Sequence, residues 1–253
     1  MTHHLTILTG ASRGMGAAMA EQLIDQGHAL VCIARKTNPA LQARSAAKGT
    51  RLEQWEHDLA APADVAERLR AFLAQTEQAT LASLTLINNA GVVSRLGPVQ
   101  DADAADLVNA LRVGLEAPAL LCAAFLRATD AWSVPRRILN ISSGLGRRAM
   151  AGGASYCAAK AGLDHFSRSV ALDEARKPQG ARICSLAPGV IDTDMQTQLR
   201  GGDAERFPDA QNFVALKEGG KLWSPQEAAV KVLAYLERAD FGSNPVADVR
   251  DAA

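Results

Sequence analysis

Three residues within one stretch have the types and spacing for proton transfer at an alcohol or carbonyl oxygen. Ser143 is followed thirteen residues later by Tyr156 and four residues after that by Lys160. Residues four apart on a helix share a face, so Tyr156 and Lys160 point the same way if this segment is helical. A phenol is a weak acid, with an ordinary pKa of about 10, and a neighbouring ammonium is expected to lower it. A serine hydroxyl at the end of the preceding strand can hydrogen-bond a carbonyl oxygen as charge develops there. Tyr-x-x-x-Lys alone is also met as a packed aromatic beside a solvated lysine, so the elements around it decide the reading.

Those elements alternate. Short apolar runs at residues 5–9, 29–34, 51–56, 84–87, 137–141 and 182–186 are predicted strands. Between them lie helical patterns at 14–26, 63–75, 103–127 and 155–174. Strands separated by helices predict βαβ units and a parallel sheet. The long pattern at 103–127 carries Leu107, Leu111 and Leu115 as its stripe, and Pro118 inside it predicts a kink. From 188 to 223 the periodicity weakens, with Gly201-Gly202, Pro208 and Gly219-Gly220 as punctuation. A substrate flap at about 194–222 or surface decoration are the two readings. Ser224-Pro225 with Glu227 opens a last helix, and 246–249 is a possible final strand.

Thr9-Gly10-Ala11-Ser12-Arg13-Gly14-Met15-Gly16 sits between the first strand and the first helix. Glycines there permit a tight turn and close approach to a pyrophosphate, whose charge the helix N-terminus favours. The spacing is G-x-x-x-G-x-G, which differs from the usual dinucleotide fingerprint. The second strand ends in Ala34-Arg35-Lys36, with no acid to accept from a ribose 2′-hydroxyl. Arg35, with Arg13 as a second cation, suits a 2′-phosphate, which favours NADPH over NADH. Two ordinary surface arginines are the alternative. Asp58 has two readings, contact with the adenine amine or a cap for the helix after it.

The chain has 253 residues, 48% of them hydrophobic, enough for one substantial domain spanning 1–253. Lys plus Arg and Asp plus Glu both number 27, which gives no basic stripe for nucleic acid. Cys32, Cys122, Cys157 and Cys184 are dispersed and read as packed thiols of a cytoplasmic protein, with Cys157 beside the tyrosine at a possible site wall. No signal peptide or uninterrupted run of 18 apolar residues is seen, so neither secretion nor a membrane is expected. His28, His57 and His165 are isolated, so no metal is expected.

Taken together, these motifs resemble the short-chain dehydrogenase/reductase family over essentially the whole chain. TGASRGMG is similar to its cofactor turn, Asn88-Asn89-Ala90-Gly91 to its NNAG, Ser143–Tyr156–Lys160 to its catalytic set, and Pro188-Gly189-Val190-Ile191-Asp192-Thr193 to its P-G segment. PGVIDTDMQTQLR at 188–200, FVALKEGGKLWSPQEAA at 213–229 and FGSNPVADVRD at 241–251 resemble the sepiapterin reductase and benzil reductase branch. The resemblance implies a single-domain, Rossmann-like, doubly wound α/β fold, a parallel sheet of about seven strands with helices on both faces. It implies an NADP(H)-dependent carbonyl reductase acting on a small-molecule ketone, such as a vicinal diketone or a pterin side-chain ketone. Catalysis would rest on Ser143, Tyr156 and Lys160. The cofactor would be held by Gly10, Ser12, Arg13, Gly14, Met15, Gly16, Arg35, Asp58, Asn89, Ala90, Gly91, Ile141, Tyr156, Lys160, Pro188, Gly189, Ile191 and Thr193. Substrate would meet Ser143, Tyr156 and Asp248, the last as a pterin anchor by resemblance or a solvated residue near a frayed end. The family also implies a homodimer or homotetramer packed through the 103–127 and 155–174 helices. Alternatives are an alcohol dehydrogenase running oxidatively and a sensor or scaffold that binds the dinucleotide without turnover. One departure favours the last: Gly114 stands where the family carries an asparagine that supports the lysine through a water, and Asn109, five residues earlier, is expected on the wrong face to replace it.

Overall fold

The computed structural model describes residues 2–251. Seven strands form one sheet: β1 (His3–Thr9), β2 (Ala29–Ala34), β3 (Leu52–Glu56), β4 (Leu81–Asn88), β5 (Arg136–Ile141), β6 (Arg182–Ala187) and β7 (Val246–Asp248). Their order is β3-β2-β1-β4-β5-β6-β7, and every neighbouring pair is parallel. Parallel strands need crossovers that cover both faces, so the strands read as continuous apolar runs. β2, Ala-Leu-Val-Cys-Ile-Ala, is buried along nearly its whole length.

One face is covered by α1 (Gly14–Asp25), α2 (Pro39–Lys48) and a late helix, Pro225–Leu236. Met19, Ile24, Val232 and Leu233 fill that side. The other face carries α3 (Pro62–Ala74), α4 (Ala104–Leu111), α5 (Ala117–Thr129) and α6 (Ala154–Glu174), with Leu69, Leu73, Leu121 and Phe125 buried beneath them. α2 goes beyond the sequence expectation. Its start and stop signals are present, Asn38 capping Ala40 N–H and Gly49 left-handed at the end. Its apolar stripe is too thin to register, since only Leu41 and Ser45 are buried.

The predicted kink at Pro118 takes another form. Arg112–Glu116 is a π-helical turn, in which Ala117 N–H bonds the Arg112 carbonyl five residues back. A proline has no N–H to donate and clashes with the carbonyl four residues earlier, here Gly114. The wider turn absorbs that conflict just before the proline. It also displaces the expected leucine stripe: Ala110, Val113 and Ala117 are buried, whereas Leu107, Leu111 and Leu115 are half-buried. By length and composition the run Ala104–Thr129 could cross a membrane. In this fold its buried stripe packs on α3 and the sheet.

The segment expected to be irregular holds two helices, α7 (Asp194–Arg200) and α8 (Ala210–Glu218). Leu199, Phe207, Ala210 and Phe213 gather with Leu145, Met150 and Tyr156 into a small separate cluster. α9 (Pro225–Leu236) opens on a capping box, Ser224 Oγ accepting from Glu227 N–H and Glu227 Oε2 accepting from Ser224 N–H.

Candidate active site

The strand order reverses between β1 and β4, and a crevice opens beyond their carboxyl ends. A cleft of about 770 Å³ lies there, lined from Gly10 and Arg35 at one end to Tyr156, Phe213 and Asp248 at the other. The glycine turn after β1 forms its floor. Gly10 and Gly14 have φ of +72° and +56°, which side-chain-bearing residues rarely adopt. A Cβ at Gly16 would stand 2.1 Å from the Gly10 carbonyl oxygen, so the turn and helix close only with glycine there. Asn89 fastens this turn to β4, donating from Nδ2 to the Thr9 and Gly10 carbonyls at 3.0 and 3.3 Å. Ser12, Met15, Ala90 and Gly91 line the same floor. A backbone cradle at a helix start, with no side chain filling it, fits a dinucleotide pyrophosphate.

At the end of β2, Arg35 is exposed, lines the cleft and is in no ion pair among the described residues. Arg13 lines the cleft as well, and its exposed guanidinium meets the exposed Asp194 carboxylate at 2.9 Å. Asp58 lines the cleft and accepts from Ala60 N–H at 3.0 Å. It does not cap α3, whose N-cap is Ala61. His57, which no sequence signal marked, lines the cleft beside it.

At the other end, β5 stops at Ile141, and Ser143 opens a short 3₁₀ turn, Gly144–Gly146, by accepting from Leu145 N–H at 3.2 Å. Tyr156 and Lys160 are only 8% and 4% exposed, on the cleft side of α6. Lys160 Nζ donates to the Ile141 carbonyl at 2.7 Å and stands 5.7 Å from the Tyr156 ring centre. Burial pulls the lysine pKa down to about 8, opposed by the charge of Asp164. Burial pushes the Tyr156 phenol up to about 12, offset in part by a hydrogen bond with Ser143. The expected lowering by Lys160 is therefore overturned. Loss of water around the phenolate outweighs an ammonium whose hydrogen bond goes to the backbone.

Asp164, one turn beyond Lys160, is 2% exposed. It accepts from Ser142 and Ser185 hydroxyls at 2.6 and 2.7 Å and meets Arg147 Nε at 3.1 Å. This buried cluster ties α6 to β6 and to the loop after β5. Gly114 has a packing reason. A Cβ there would stand 2.9 Å from the Ala159 Cβ, so a larger residue would push the π-turn off α6. Asn109 is half-buried and lines the cleft.

Pro188, Gly189, Ile191 and Thr193 line the cleft between β6 and α7. Gly189 has φ +85°, and Trp223 lies over it, 2.3 Å from where a Cβ would be. Asp248 is at the cleft wall, but its carboxylate takes two hydrogen bonds from the Arg250 guanidinium, at 2.7 and 2.6 Å. Cys157 does not line the cleft and packs against the cluster around Tyr156. Sequence reading missed Gln196, Phe213, Arg148 and Arg250 in the lining. Their loop and short helices carry weak periodicity.

Residues 4–204 match the family model described as short chain dehydrogenase. The chain belongs to the short-chain dehydrogenase family. This dehydrogenase is 33% identical over 240 residues to a benzil reductase ((S)-benzoin forming) of Bacillus cereus, covering 95% of this chain and 96% of the relative. It is 31% identical to a sepiapterin reductase of Meriones unguiculatus, covering 97% and 95%. Among solved structures it is similar to a metagenomic short-chain oxidoreductase in complex with NADP, at TM-score 0.70 and 27% identity, covering 98% and 95%.

Proposed function

We propose that this short-chain dehydrogenase is an NADPH-dependent carbonyl reductase. The observation that carries the reading is the single cleft in which the glycine cradle, the unpaired Arg35 and the Ser143–Tyr156–Lys160 set all meet. The glycine turn, Asn89–Gly91 and Pro188–Thr193 would hold the dinucleotide, and Arg35 its 2′-phosphate. When bound, the reduced nicotinamide supplies the two electrons and one hydrogen that go to the carbonyl carbon. Tyr156 then gives its phenolic proton to the carbonyl oxygen. Ser143 Oγ donates a hydrogen bond to that oxygen while accepting from Leu145 N–H. The Lys160 ammonium stabilises the phenolate left behind until solvent restores the proton. The balance is ketone plus NADPH plus a proton to alcohol plus NADP⁺.

The names of the relatives, a benzil reductase and a sepiapterin reductase, support a vicinal diketone or a pterin side-chain ketone as substrate. The chain forms one domain, with α7 and α8 as a flap over the substrate end. It assembles as a homo-oligomer through the α4–α6 side, where Val108 and Leu172 are exposed at 42% and 72%. A cytoplasmic location fits its dispersed unpaired thiols.

The test is NADPH consumption with aromatic diketones, aliphatic diketones and pterin ketones, beside NADH. Turnover with NADPH and weak turnover with NADH is expected. Tight NADPH binding with no consumption of any carbonyl would move the reading to the sensor alternative.

A further inference from the structure

Asp164 lies one turn beyond Lys160 on the same face of α6 and is buried. Its Oδ1 accepts from two hydroxyls, Ser142 just after β5 and Ser185 on β6. Its Oδ2 is buried without a hydrogen bond and faces Arg147 Nε at 3.1 Å as an ion pair. Arg147 directs its other donors to backbone: Nη1 to the Ser143 carbonyl at 3.5 Å, and Nη2 to the Ser185 and Ala247 carbonyls at 3.3 and 3.0 Å. The turn that Ser143 opens, Gly144–Gly146, is pressed on this same stretch of α6. A Cβ at Gly146 would stand 2.8 Å from Asp164 Oδ2 and 3.0 Å from the Lys160 carbonyl oxygen. An apolar join of the same shape would hold the turn without the cost of burying charge. What an apolar join cannot do is act on the neighbouring ammonium.

We propose that Asp164 and Arg147 are positioning residues for the reduction: their ion pair fixes Ser143 against the Tyr156–Lys160 face, and the Asp164 carboxylate is the counter-charge that keeps Lys160 an ammonium beside the phenol. The proposal rests on the carbonyl-reductase reading and adds to it the groups that hold its acid in place. Neither residue lines the cleft, so both act through Ser143 and Lys160. Burial works against the lysine charge, and the Asp164 charge opposes that. Tyr156 on α6, Cys184 on β6 and Tyr235 on α9 are also near the pair. Burial pushes all three up to about 12, so they add no charge at neutral pH. Asp248 on β7 also feels Arg147, but its carboxylate is held by Arg250. Charged residues on the other elements packed against α6 are engaged elsewhere. Asp106 accepts from Arg95 N–H, Arg112 pairs with Glu116, and Arg127 faces Glu67 on α3.

The experiment titrates Lys160 by NMR of isotopically labelled lysine side chains, its signal assigned by loss in Lys160→Met. Wild type is compared with Asp164→Asn and Arg147→Gln. Asp164→Asn keeps the shape and an acceptor for both hydroxyls and removes the charge, so the Lys160 titration moves down by about one pH unit. Arg147→Gln removes the opposing charge, so the titration moves up. The alkaline limb of kcat/KM for ketone reduction follows in the same two directions. In each variant kcat falls about tenfold or more, because each breaks the ion pair that holds the Ser143 turn. NADPH affinity at neutral pH, read by fluorescence titration, is retained. A merely structural pair lowers the melting temperature of both variants and leaves the Lys160 titration where it was, and that result overturns the proposal. Shifts of the same sign in both variants also overturn it, since they report loosened packing and not charge. So does an unchanged kcat in both. If Asp164→Asn does not fold, Arg147→Gln, at a partly exposed side chain, decides alone by an upward shift or none. If wild type consumes NADPH with no ketone, the reductase reading fails by itself. The NMR titration needs no turnover and still decides the role of the charges.

Discussion

Tyr156 and Lys160 share one buried wall, and burial shifts both toward their neutral forms. Burial therefore favours the protonated phenol, the form that the proposed reduction needs. The lysine carries its charge only below about pH 8, so kcat/KM for reduction is expected to fall as pH rises through that value. A pH–rate profile flat to pH 10 would contradict it. The stability sign follows from the same shift. The folded protein binds this proton less tightly than the unfolded chain, whose lysine has the ordinary value of 10.5, so the lysine's contribution grows between about 8 and 10.5. Tyr156→Phe removes the transferable proton and is expected to lower kcat by about 10²–10⁴-fold with NADPH binding retained, as read by fluorescence titration. Arg35→Asp places an acid where a 2′-phosphate would sit, and is expected to reverse the preference toward NADH in paired KM measurements. That Ser143, Tyr156, Lys160 and Arg35 would line one cleft was legible because their motifs sit at the ends of strands in a βα pattern. The phenol's raised pKa was not legible, because it depends on how completely the assembled fold excludes water.

Among the elements, strands and long helices could be read from period and length. The π-turn at Arg112–Glu116 could not, because its cause is distributed over Pro118, Gly114 and the facing Ala159. Gly114→Ala is expected to destabilise the protein by about 1–3 kcal/mol in urea unfolding, the usual cost of overpacking. No loss would mean that α6 yields at Ala159. α7 and α8 were illegible for a related reason. They are short, and their buried residues, Leu199, Phe207 and Phe213, serve a cluster completed by Leu145 and Met150 from a distant part of the chain.

For the whole molecule, a doubly wound parallel sheet could be expected from the β-α alternation and the family resemblance, and the reversal at β1 and β4 opens the crevice where the candidate groups meet. Assembly is a matter of surface, which periodicity does not report. Light scattering at micromolar concentration is expected to show an oligomer, and Leu172→Glu, which charges an apolar side chain 72% exposed on α6, is expected to reduce it to a smaller species. A wild-type monomer would remove this side as an interface.

Trp223 offers one more handle. Its backbone forms an isolated parallel bridge with Ile191, and its indole lies over Gly189 with the Lys231 ammonium beside it. That puts a fluorophore against the segment assigned to the nicotinamide. Indole emission overlaps the absorption of a reduced nicotinamide, so the protein carries a built-in optical gauge of occupancy. Excited at the indole, it would dim as reduced dinucleotide enters and brighten as the oxidised form replaces it, letting turnover be followed from the protein's own light.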